Sequence, residues 1–461
     1  MNISQRIAGI HHEELRRHLF PGDGLEAVAF ALCGRLRQSA AQTLTVRRIV
    51  PVPHERCDRT ENRITWPSEC LASLLDEAKR KDMAVVKIHS HPSFYERFSL
   101  QDDESDGDTF TAVANWLGTD EPHGSAVMFP DGRMFGRALV PEKDWQQFSC
   151  ITVVGDDLHY WRPQAGTPAS DPFFERQVQL LGAGTTARLR SLRVAVVGCS
   201  GTGSVVVELL ARLGVGTLVL VDDDYIEDRN LNRILNSKRS DDGRPKVEVL
   251  ADAVRAIGFG TEVLPLKLNL FDPDAIRAVA GCDAVFGCMD TTEGRHLLNR
   301  LATFYLLPYF DLGVHLAADG QGGIDEASAA VHYLQPGRSS LLSRGAYTLA
   351  RVRAENLRRT DPAAYAEQRA AGYIEGVDED RPAVVSINAQ AASLAVNEFL
   401  ARLHPFRSLS TGASAVIRMN FMEVFLALEE ESEPCALLAR HVGRGDVTPL
   451  LDLPGLSTNA T

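Results

Sequence analysis

The sequence is poor in several features, and each deficit argues against a class of protein. Its eight cysteines include no Cys-x-x-Cys pair, which counts against a disulfide framework and against a cysteine-rich zinc site. Lysine and arginine number 48 against 61 aspartates and glutamates, so the formal net charge is -13, which argues against a nucleic-acid partner. No apolar run is long enough to cross a bilayer, and the first residues do not resemble a secretory signal. We therefore expect a cytoplasmic protein that binds neither nucleic acid nor membranes.

The chain, at 461 residues, is too long for one ordinary hydrophobic core, so two or three domains are expected. The clearest linker is RPQAGTPASDP, residues 162–172, which holds three prolines and a glycine and has no apolar periodicity. This predicts an N-terminal domain over residues 1–161 and a C-terminal domain over residues 173–461.

The N-terminal domain combines strand and helix patterns. Apolar runs at residues 25–34 and 83–88 predict buried strands, and residues 68–82 between them have the apolar spacing of a helix. Ser68 is the expected N-cap of that helix. We therefore expect an α+β domain.

The C-terminal domain begins with a helical pattern and continues as strand, turn, helix and strand. The strands are predicted at residues 193–198 and 217–224, and the helix between them from about residue 204 to 213. This order is the start of a doubly wound parallel sheet. The predicted fold class is therefore α/β, with a Rossmann-like C-terminal domain after an α+β N-terminal one.

The first candidate site follows the strand predicted at residues 83–88. His89 and His91 are two positions apart, so an extended backbone points both imidazoles to one face. With Asp102, eleven residues later, they could supply three ligands and leave a fourth position to water, as in a catalytic zinc site. A structural interpretation competes, because Ser99 and Asp102 also fit a capping box at a helix start. A calcium loop fits less well, since Val113 stands where a glutamate is expected.

The spacing HSHP, six residues, then SxxD resembles the JAMM signature of the JAB/MPN metalloproteases. That family includes deubiquitinases and prokaryotic enzymes that trim ubiquitin-like or sulfur-carrier proteins. The resemblance implies that His89, His91 and Asp102 bind Zn²⁺ and that Ser99 hydrogen-bonds near the bound water. Glu26 matches the family's catalytic glutamate, which takes a proton from that water and passes it to the leaving amine. We therefore expect a zinc site here, together with the capping geometry.

The second candidate site is the turn VVGCSGTGS. Gly198, Gly201 and Gly203 lie between a predicted strand and a predicted helix, where glycine permits a tight turn and the helix N-terminus attracts phosphate. The order G-x-x-G-x-G differs from both the dinucleotide fingerprint and the P-loop. Nicotinamide or flavin binding and a purely structural turn therefore remain alternatives at this stage.

Polar residues beyond the turn favour a nucleoside triphosphate. Asp222, at the end of the next strand, can accept hydrogen bonds from ribose hydroxyls. Two cations for phosphates and a carboxylate for Mg²⁺ suit adenylation, in which an acyl oxygen attacks the α-phosphorus and pyrophosphate leaves. Hydride transfer would need none of them. The candidates along the chain are Asp224, Asn230, Arg233, Lys246, Asp290 and Arg295.

Residues 174–299 strongly resemble the ThiF/MoeB-type adenylyltransferases, whose fold ubiquitin-activating enzymes share. The resemblance implies that ATP and Mg²⁺ bind here, with Asp222 on the ribose and Asp290 on the metal. Arg176 corresponds to an arginine that reaches the nucleotide of a partner protomer, which implies a homodimer through this domain. As an alternative, Arg176 is an ordinary surface residue. The residues that would hold the phosphates are Asn230, Arg233 and Lys246.

Two features of that family are missing. Many relatives hold a structural zinc on two Cys-x-x-Cys pairs, but Ser340 and Ser343 stand in the first pair's place, so we predict no zinc in this domain. The crossover segment that carries the acyl-accepting cysteine in ubiquitin-activating enzymes falls within residues 372–392, which contain no cysteine. Three routes stay open: an adenylate handed directly to a partner, a thioester on Cys435, or an oxyester on Ser386.

Together the two resemblances predict a bifunctional enzyme with one protein substrate. The C-terminal domain would adenylate the C-terminal glycine of a ubiquitin-like protein, and the N-terminal domain would hydrolyse peptide or isopeptide bonds after that glycine. The fusion would hold both sites at high effective concentration near that partner, and a conjugating enzyme is a further possible partner. Two alternatives remain: activation of a sulfur carrier for thiocarboxylate formation, and a recognition module with one inactive half.

Overall fold

The computed structural model divides into two compact units. Unit 1 contains Met1–Gly166 and two short late segments, Phe304–Leu306 and His441–Thr448, and unit 2 contains the rest. Most of the predicted linker and part of the predicted crossover segment lie outside the described residues. The structure describes residues 1–140, 145–163, 171–374 and 382–456.

Unit 1 is built on one mixed nine-stranded sheet. Its described helices and strands are, in chain order, β1 (Asn2–Ala8), α1 (Gly9–Leu19), β2 (Val28–Arg37), β3 (Ala41–Pro51), β4 (Asp58–Arg59), β5 (Ile64–Thr65), α2 (Glu69–Lys81), β6 (Ala84–Ser90), α3 (Leu100–Leu117), β7 (His123–Met128), β8 (Met134–Leu139), β9 (Trp145–Gln147), β10 (Cys150–Val154) and β11 (Leu158–Trp161). The large sheet has the order β11-β10-β1-β3-β2-β6-β7-β8-β9, and β4 and β5 form a separate hairpin. The pairs β1–β10, β1–β3 and β6–β7 are parallel, and the others are antiparallel.

Apolar side chains that alternate along the central strands form a buried cluster on each face of this sheet. On one face, Phe30 of β2 and Val85 of β6 pack in a cluster with Phe110 and Val113 of α3. Because side chains alternate along a strand, the residues two and four positions after Val85 face the same way. This places the end of β6 under the first turns of α3.

The late segment His441–Thr448 completes unit 1 at the edge of β2. The N–H of Asp446 donates to the Arg35 carbonyl at 2.6 Å, and the N–H of Gly34 donates to the Gly443 carbonyl at 3.3 Å. Gly445 has φ +63°, and a Cβ atom there would lie 2.5 Å from the backbone nitrogen and oxygen of Arg35. Glycine is therefore required here for close backbone approach as well as for its φ.

We expect Gly445→Ala to loosen this edge of unit 1. The substitution places a methyl group against backbone that cannot move aside, and should cost at least about 1 kcal/mol beyond the penalty of a positive φ. Hydrogen exchange followed by mass spectrometry should show faster exchange in peptides from β2 and β3. Gly118→Ala is the matched control, because Gly118 has φ +65° in unit 1 and a Cβ atom there would meet nothing within 4 Å. Equal exchange in the two variants would contradict the prediction.

Unit 2 is a doubly wound sheet with an antiparallel extension. Its described elements are α4 (Glu175–Ser191), β12 (Arg193–Val197), α5 (Gly201–Arg212), β13 (Thr217–Val221), α6 (Lys246–Ile257), β14 (Glu262–Leu266), α7 (Pro273–Ala280), β15 (Ala284–Gly287), α8 (Thr292–Tyr305), β16 (Tyr309–Ala318), β17 (Ile324–Leu334), α9 (Leu349–Thr360), α10 (Pro362–Ala370), α11 (Val385–Leu403), β18 (Val416–Asn420), β19 (Phe425–Glu429) and α12 (Ala436–Ala439). The strand order is β14-β13-β12-β15-β16-β17-β18-β19. The strands from β14 to β16 are parallel, and the last three pairs are antiparallel.

The predicted fold class is confirmed in both units. The strands expected from the sequence correspond to β2, β6, β12 and β13, with ends shifted by a few residues. Ser68 does precede α2, but its backbone is helical and its side chain makes no capping hydrogen bond, so its predicted capping role is wrong. Among the described residues, none of the helices combines the length and the apolar character that a membrane span requires.

Candidate functional site

Three possible metal ligands meet where β6 ends. His89 Nε2 lies 3.1 Å from Asp102 Oδ1 and 3.1 Å from His91 Nε2, and His91 Nε2 lies 3.8 Å from Asp102 Oδ2. One ligand atom from each residue lies within 4.8 Å of the others. No fourth His, Cys, Asp or Glu among the described residues joins this group. Two imidazoles and one carboxylate form a ligand set that suits Zn²⁺ with an open position.

The histidines are buried and oriented by backbone contacts. Val28 of β2 pairs with His89 of β6, and the Ser90 hydroxyl accepts from the Ala27 N–H at 2.8 Å. His91 Nδ1 lies 2.6 Å from the Tyr95 carbonyl oxygen. This contact requires a proton on Nδ1, which leaves the Nε2 lone pair available for a metal ion.

Ser99 and Asp102 form the capping box that the structural interpretation required. The Asp102 N–H donates to Ser99 Oγ at 3.1 Å, and Asp102 Oδ2 accepts from the Ser99 N–H at 2.8 Å and from the Ser99 hydroxyl at 2.7 Å. Burial raises the pKa of Asp102, but hydrogen bonds with His89 and His91 outweigh it and hold the pKa well below its usual range. The cap therefore fixes one carboxylate oxygen while the other faces His89.

Glu26 lies two residues before the first residue of β2 and is buried. Continuing the β2–β6 register places it opposite His91, on the face that carries the ligands. Burial raises the pKa of Glu26 to about 7, against the attraction of His91. A carboxyl group that titrates near neutrality suits a general base.

The backbone of Glu26 is held by a residue that the sequence did not point to. Arg59 Nε in the β4–β5 hairpin donates to the Glu26 carbonyl at 2.7 Å, and the guanidinium pairs with Asp23 at 2.9 Å. The Glu26 N–H donates to the Thr60 carbonyl at 2.8 Å. An arginine in a two-residue strand has no sequence pattern that would mark such a role.

We expect the purified protein to bind one Zn²⁺ per chain. His91→Ala should weaken zinc binding by more than about 100-fold, the upper end of what loss of an outer-shell partner costs. Competition with a chromophoric chelator measures the affinity, and elemental analysis measures the stoichiometry. His315→Ala, which removes a largely exposed imidazole in unit 2, should leave both unchanged. A second bound zinc would contradict the prediction that Ser340 and Ser343 hold none.

In unit 2 the glycine turn connects β12 to α5. Gly198 has φ +90°, and a Cβ atom on Gly203 would lie 1.8 Å from the Gly198 carbonyl oxygen. Close packing at this turn therefore demands glycine. A Cβ atom on Gly201 would lie 2.3 Å from Asn388 Nδ2 of α11, a buried contact that the sequence did not predict.

The turn lies where the strand order changes direction. The chain runs outward from β12 to β13 and β14 on one side and from β15 to β16 on the other, so the reversal falls between β12 and β15. Gly198, Asp222 and Asp290 follow the carboxyl ends of β12, β13 and β15. Ligands of open α/β sheets bind at such a reversal. Asp290 is exposed there.

Asp222 is held by two backbone hydrogen bonds, one of which comes from the glycine turn. Its carboxylate accepts from the Cys199 N–H at 2.6 Å and from the Asp224 N–H at 2.9 Å. Burial raises the pKa of Asp222, against the attraction of Lys246. Lys246 opens α6 and is nearly buried, and its Nζ lies 2.6 Å from Asp224 Oδ2.

The remaining predicted residues differ in their settings. Asn230 is buried, and its Oδ1 accepts from the Glu227 N–H at 3.0 Å. Arg233 packs beside Gly201. Arg176 is exposed at the start of α4, with Nη1 3.4 Å from Gln179 Oε1, and its role across a dimer stays a prediction.

Arg295 forms an ion pair with a buried carboxylate. Its guanidinium forms a two-point contact with the fully buried carboxylate of Asp311, which also accepts from the Tyr309 hydroxyl at 2.6 Å. Burial lowers the pKa of Arg295, but the ion pair with Asp311 outweighs burial and raises the pKa above its usual range. The position of Arg295 one helical turn after Asp290 therefore does not identify its role.

The candidate acyl carriers have different exposure. Cys435 is buried, and its N–H donates to the Arg338 carbonyl at 3.1 Å. Nearby in sequence, Ser340 Oγ accepts from the Ser343 N–H at 3.1 Å, and Ser343 Oγ accepts from the Ser340 N–H at 2.9 Å. The two hydroxyl oxygens therefore support a turn. Ser386 is exposed in the first turn of α11.

Family models match most of unit 2 and most of the N-terminal part of unit 1. Residues 174–431, more than half of the chain, match the ThiF family, and residues 10–135 match the prokaryotic homologs of the JAB domain. The chain therefore belongs to the ThiF family, and it is a fusion of a JAB domain with a ThiF domain. Both family resemblances inferred from the sequence are confirmed.

Curated relatives match only part of the chain. A SAMP-activating enzyme E1 of Haloferax volcanii is 39% identical over 121 residues, which is 26% of this chain and 45% of that protein. The human ubiquitin-like modifier-activating enzyme 7 is 27% identical over 39% of this chain and 19% of that protein. Mouse adenylyltransferase and sulfurtransferase MOCS3 is 35% identical over 27% of this chain and 28% of that protein. The chain thus spans less than half the length of each of these relatives.

Among solved structures, E. coli MccB with ATP aligns with a TM-score of 0.44 and 17% sequence identity. The alignment covers 58% of this chain and 74% of that chain.

Proposed function

We propose that this protein activates the C-terminus of a ubiquitin-like protein and also hydrolyses bonds made by that C-terminus. The observation that carries the proposal is the presence in one chain of two distinct sites. Unit 1 has a convergent His-His-Asp cluster beside a buried glutamate, and unit 2 has a glycine turn at the reversal of a ThiF-family sheet. The ThiF domain implies ATP and Mg²⁺ as reactants of the second site.

In the adenylation step, the carboxylate of the partner's terminal glycine attacks the α-phosphorus of ATP. The bond to pyrophosphate breaks, and the acyl adenylate forms. Asp222, fixed against the turn, would receive the ribose hydroxyls, and Arg233 and Lys246 would neutralise the leaving phosphates. Asp290 would hold Mg²⁺ at the open end of β15. The Lys246 ammonium pairs with Asp224 in this structure, and that pair would hold it in place for the nucleotide.

In the hydrolytic step, Glu26 moves protons while His89, His91 and Asp102 would hold the metal. A zinc ion there would acidify a water molecule and polarise the scissile carbonyl. Glu26 accepts a proton from the attacking water and donates it to the departing amine, and a pKa near 7 suits both transfers. Ser99 holds Asp102 in this structure, and its contact with a developing oxyanion remains part of the proposal.

The route from adenylate to product that we favour is direct transfer to the next nucleophile. Cys435 is buried, and the predicted crossover segment has no cysteine. An oxyester on the exposed Ser386 is the second route. We also propose a homodimer through unit 2, in which Arg176 reaches the partner nucleotide, and a cytoplasmic location.

Sulfur-carrier activation is a second candidate function. Relatives named adenylyltransferase and sulfurtransferase, from mouse and yeasts, favour it. Mass spectrometry of the partner after incubation with Mg-ATP distinguishes the two functions. A thiocarboxylate on its tail would indicate sulfur transfer, whereas a protein adduct would indicate conjugation.

Asp290→Asn should abolish adenylation without unfolding unit 2. Removal of the metal-binding carboxylate should slow ATP–pyrophosphate exchange, measured with a glycine-tailed ubiquitin-like protein, by about 100-fold or more. Asp274→Asn alters a largely exposed carboxylate on α7 and should leave exchange unchanged. Full exchange in Asp290→Asn would refute the proposed magnesium role.

Glu26→Gln should remove hydrolysis and spare the metal. The amide cannot take up the proton, so cleavage of a reporter fused after the partner's terminal glycine should fall by about 100-fold or more. Zinc content should stay at the wild-type level, because Glu26 is not a ligand. Glu104→Gln, on an exposed position of α3, is the matched control. Zinc-dependent cleavage by the Glu26→Gln variant at the wild-type rate would contradict the proposed protease function.

A further inference from the structure

We propose that Asp106 is a positioning residue for the metal site of unit 1. Through a buried ion-pair network, it fixes the first turn of α3, which carries Asp102, against the strand that carries His89. This inference rests on the proposed zinc-binding function of the His-His-Asp cluster.

The network joins one helix to two strands. Asp106 of α3 is fully buried, and its Oδ1 lies 2.5 Å from the Lys87 ammonium of β6. Its other oxygen accepts from Arg137 Nη2 of β8 at 2.8 Å. Lys87 and Arg137 are themselves nearly buried. One carboxylate therefore links α3 to both strands at once.

The positions of these residues repeat those of the ligands. Asp102 and Asp106 are four residues apart and share one face of α3. His89 and Lys87 are two residues apart and share one face of β6. The Asp102–His89 and Asp106–Lys87 contacts are thus successive links across one helix–strand interface. A shift of α3 along β6 would break both.

The network is balanced in charge. Arg137 Nη1 lies 2.5 Å from Asp103 Oδ1, so two cations face two carboxylates. The guanidinium also lies 3.8 Å from the centre of the Phe98 ring. Ion pairs of this kind contribute little net stability when compared with apolar residues of similar size, but they can fix register. We therefore assign these ion pairs to the placement of Asp102 and not to the stability of unit 1.

Two variants test the role by different means. Asp106→Asn removes one of the two negative charges that face Lys87 and Arg137. The double variant Lys87→Met with Asp106→Leu replaces the pair by apolar side chains, keeps Arg137 paired with Asp103, and should stay folded without metal. We expect both to bind Zn²⁺ about 10- to 100-fold more weakly in a chelator competition, the range for loss of outer-shell support. The visible absorption of bound Co²⁺ should also change, because it reports ligand geometry.

Val113→Ala is the matched control, because it removes core packing from the same helix without touching a charge. It should lower thermal stability and leave the zinc affinity and the Co²⁺ spectrum as in the wild type. Wild-type zinc affinity in the folded double variant would overturn the proposal, as would an equal loss of affinity in Val113→Ala. A wild-type protein that binds no zinc would overturn this inference and the zinc site together. Zinc binding without cleavage would remove only the protease function.

Discussion

The pairing of β2 with β6 is the constraint on which the chemistry of unit 1 depends. Val28 pairs with His89, and from that register Glu26 comes opposite His91. Because side chains alternate along a strand, a slip of one residue would turn His89 to the other face of the sheet. The apolar cluster beneath α3, which includes Phe30, resists such a slip because the slip would also move those side chains out of the cluster to the opposite face. Core packing and ligand placement are thus set by the same hydrogen bonds.

Burial shapes the acid–base character of both units. In unit 1 it raises the pKa of Glu26 to about 7, which turns an ordinary carboxylate into a group able to exchange protons near neutrality. In unit 2 it raises the pKa of Asp222, but there two backbone N–H groups and Lys246 stabilise the charged form. One carboxyl is suited to proton transfer, and the other to accepting hydrogen bonds. The same desolvation therefore supports different roles, because the neighbours differ.

The sequence was sufficient for features that depend on local geometry. His89 and His91 are neighbours on one strand, and Ser99 and Asp102 are neighbours in one helical turn, so their spacing alone predicts how they group. Contacts made by tertiary packing left no such pattern. No sequence pattern marks His441–Thr448 as part of unit 1, because it is joined to β2 by close backbone approach at its glycines and by hydrogen bonds of Asp446. Arg295 is a further example, because its helical spacing from Asp290 could not reveal that Asp311 binds it.

The exposure of the possible acyl carriers bears on the energetics of the proposed reaction. An acyl adenylate is a mixed anhydride and is already activated, so a thioester is not required to make the next transfer favourable. Cys435 is buried, and burial raises the pKa of Cys199 and Cys288, which keeps those two thiols protonated and makes them poor nucleophiles. The adenylate must then persist until its acceptor arrives. In the proposed reaction, this persistence would depend on the groups that surround the remaining phosphate and keep water away from the anhydride.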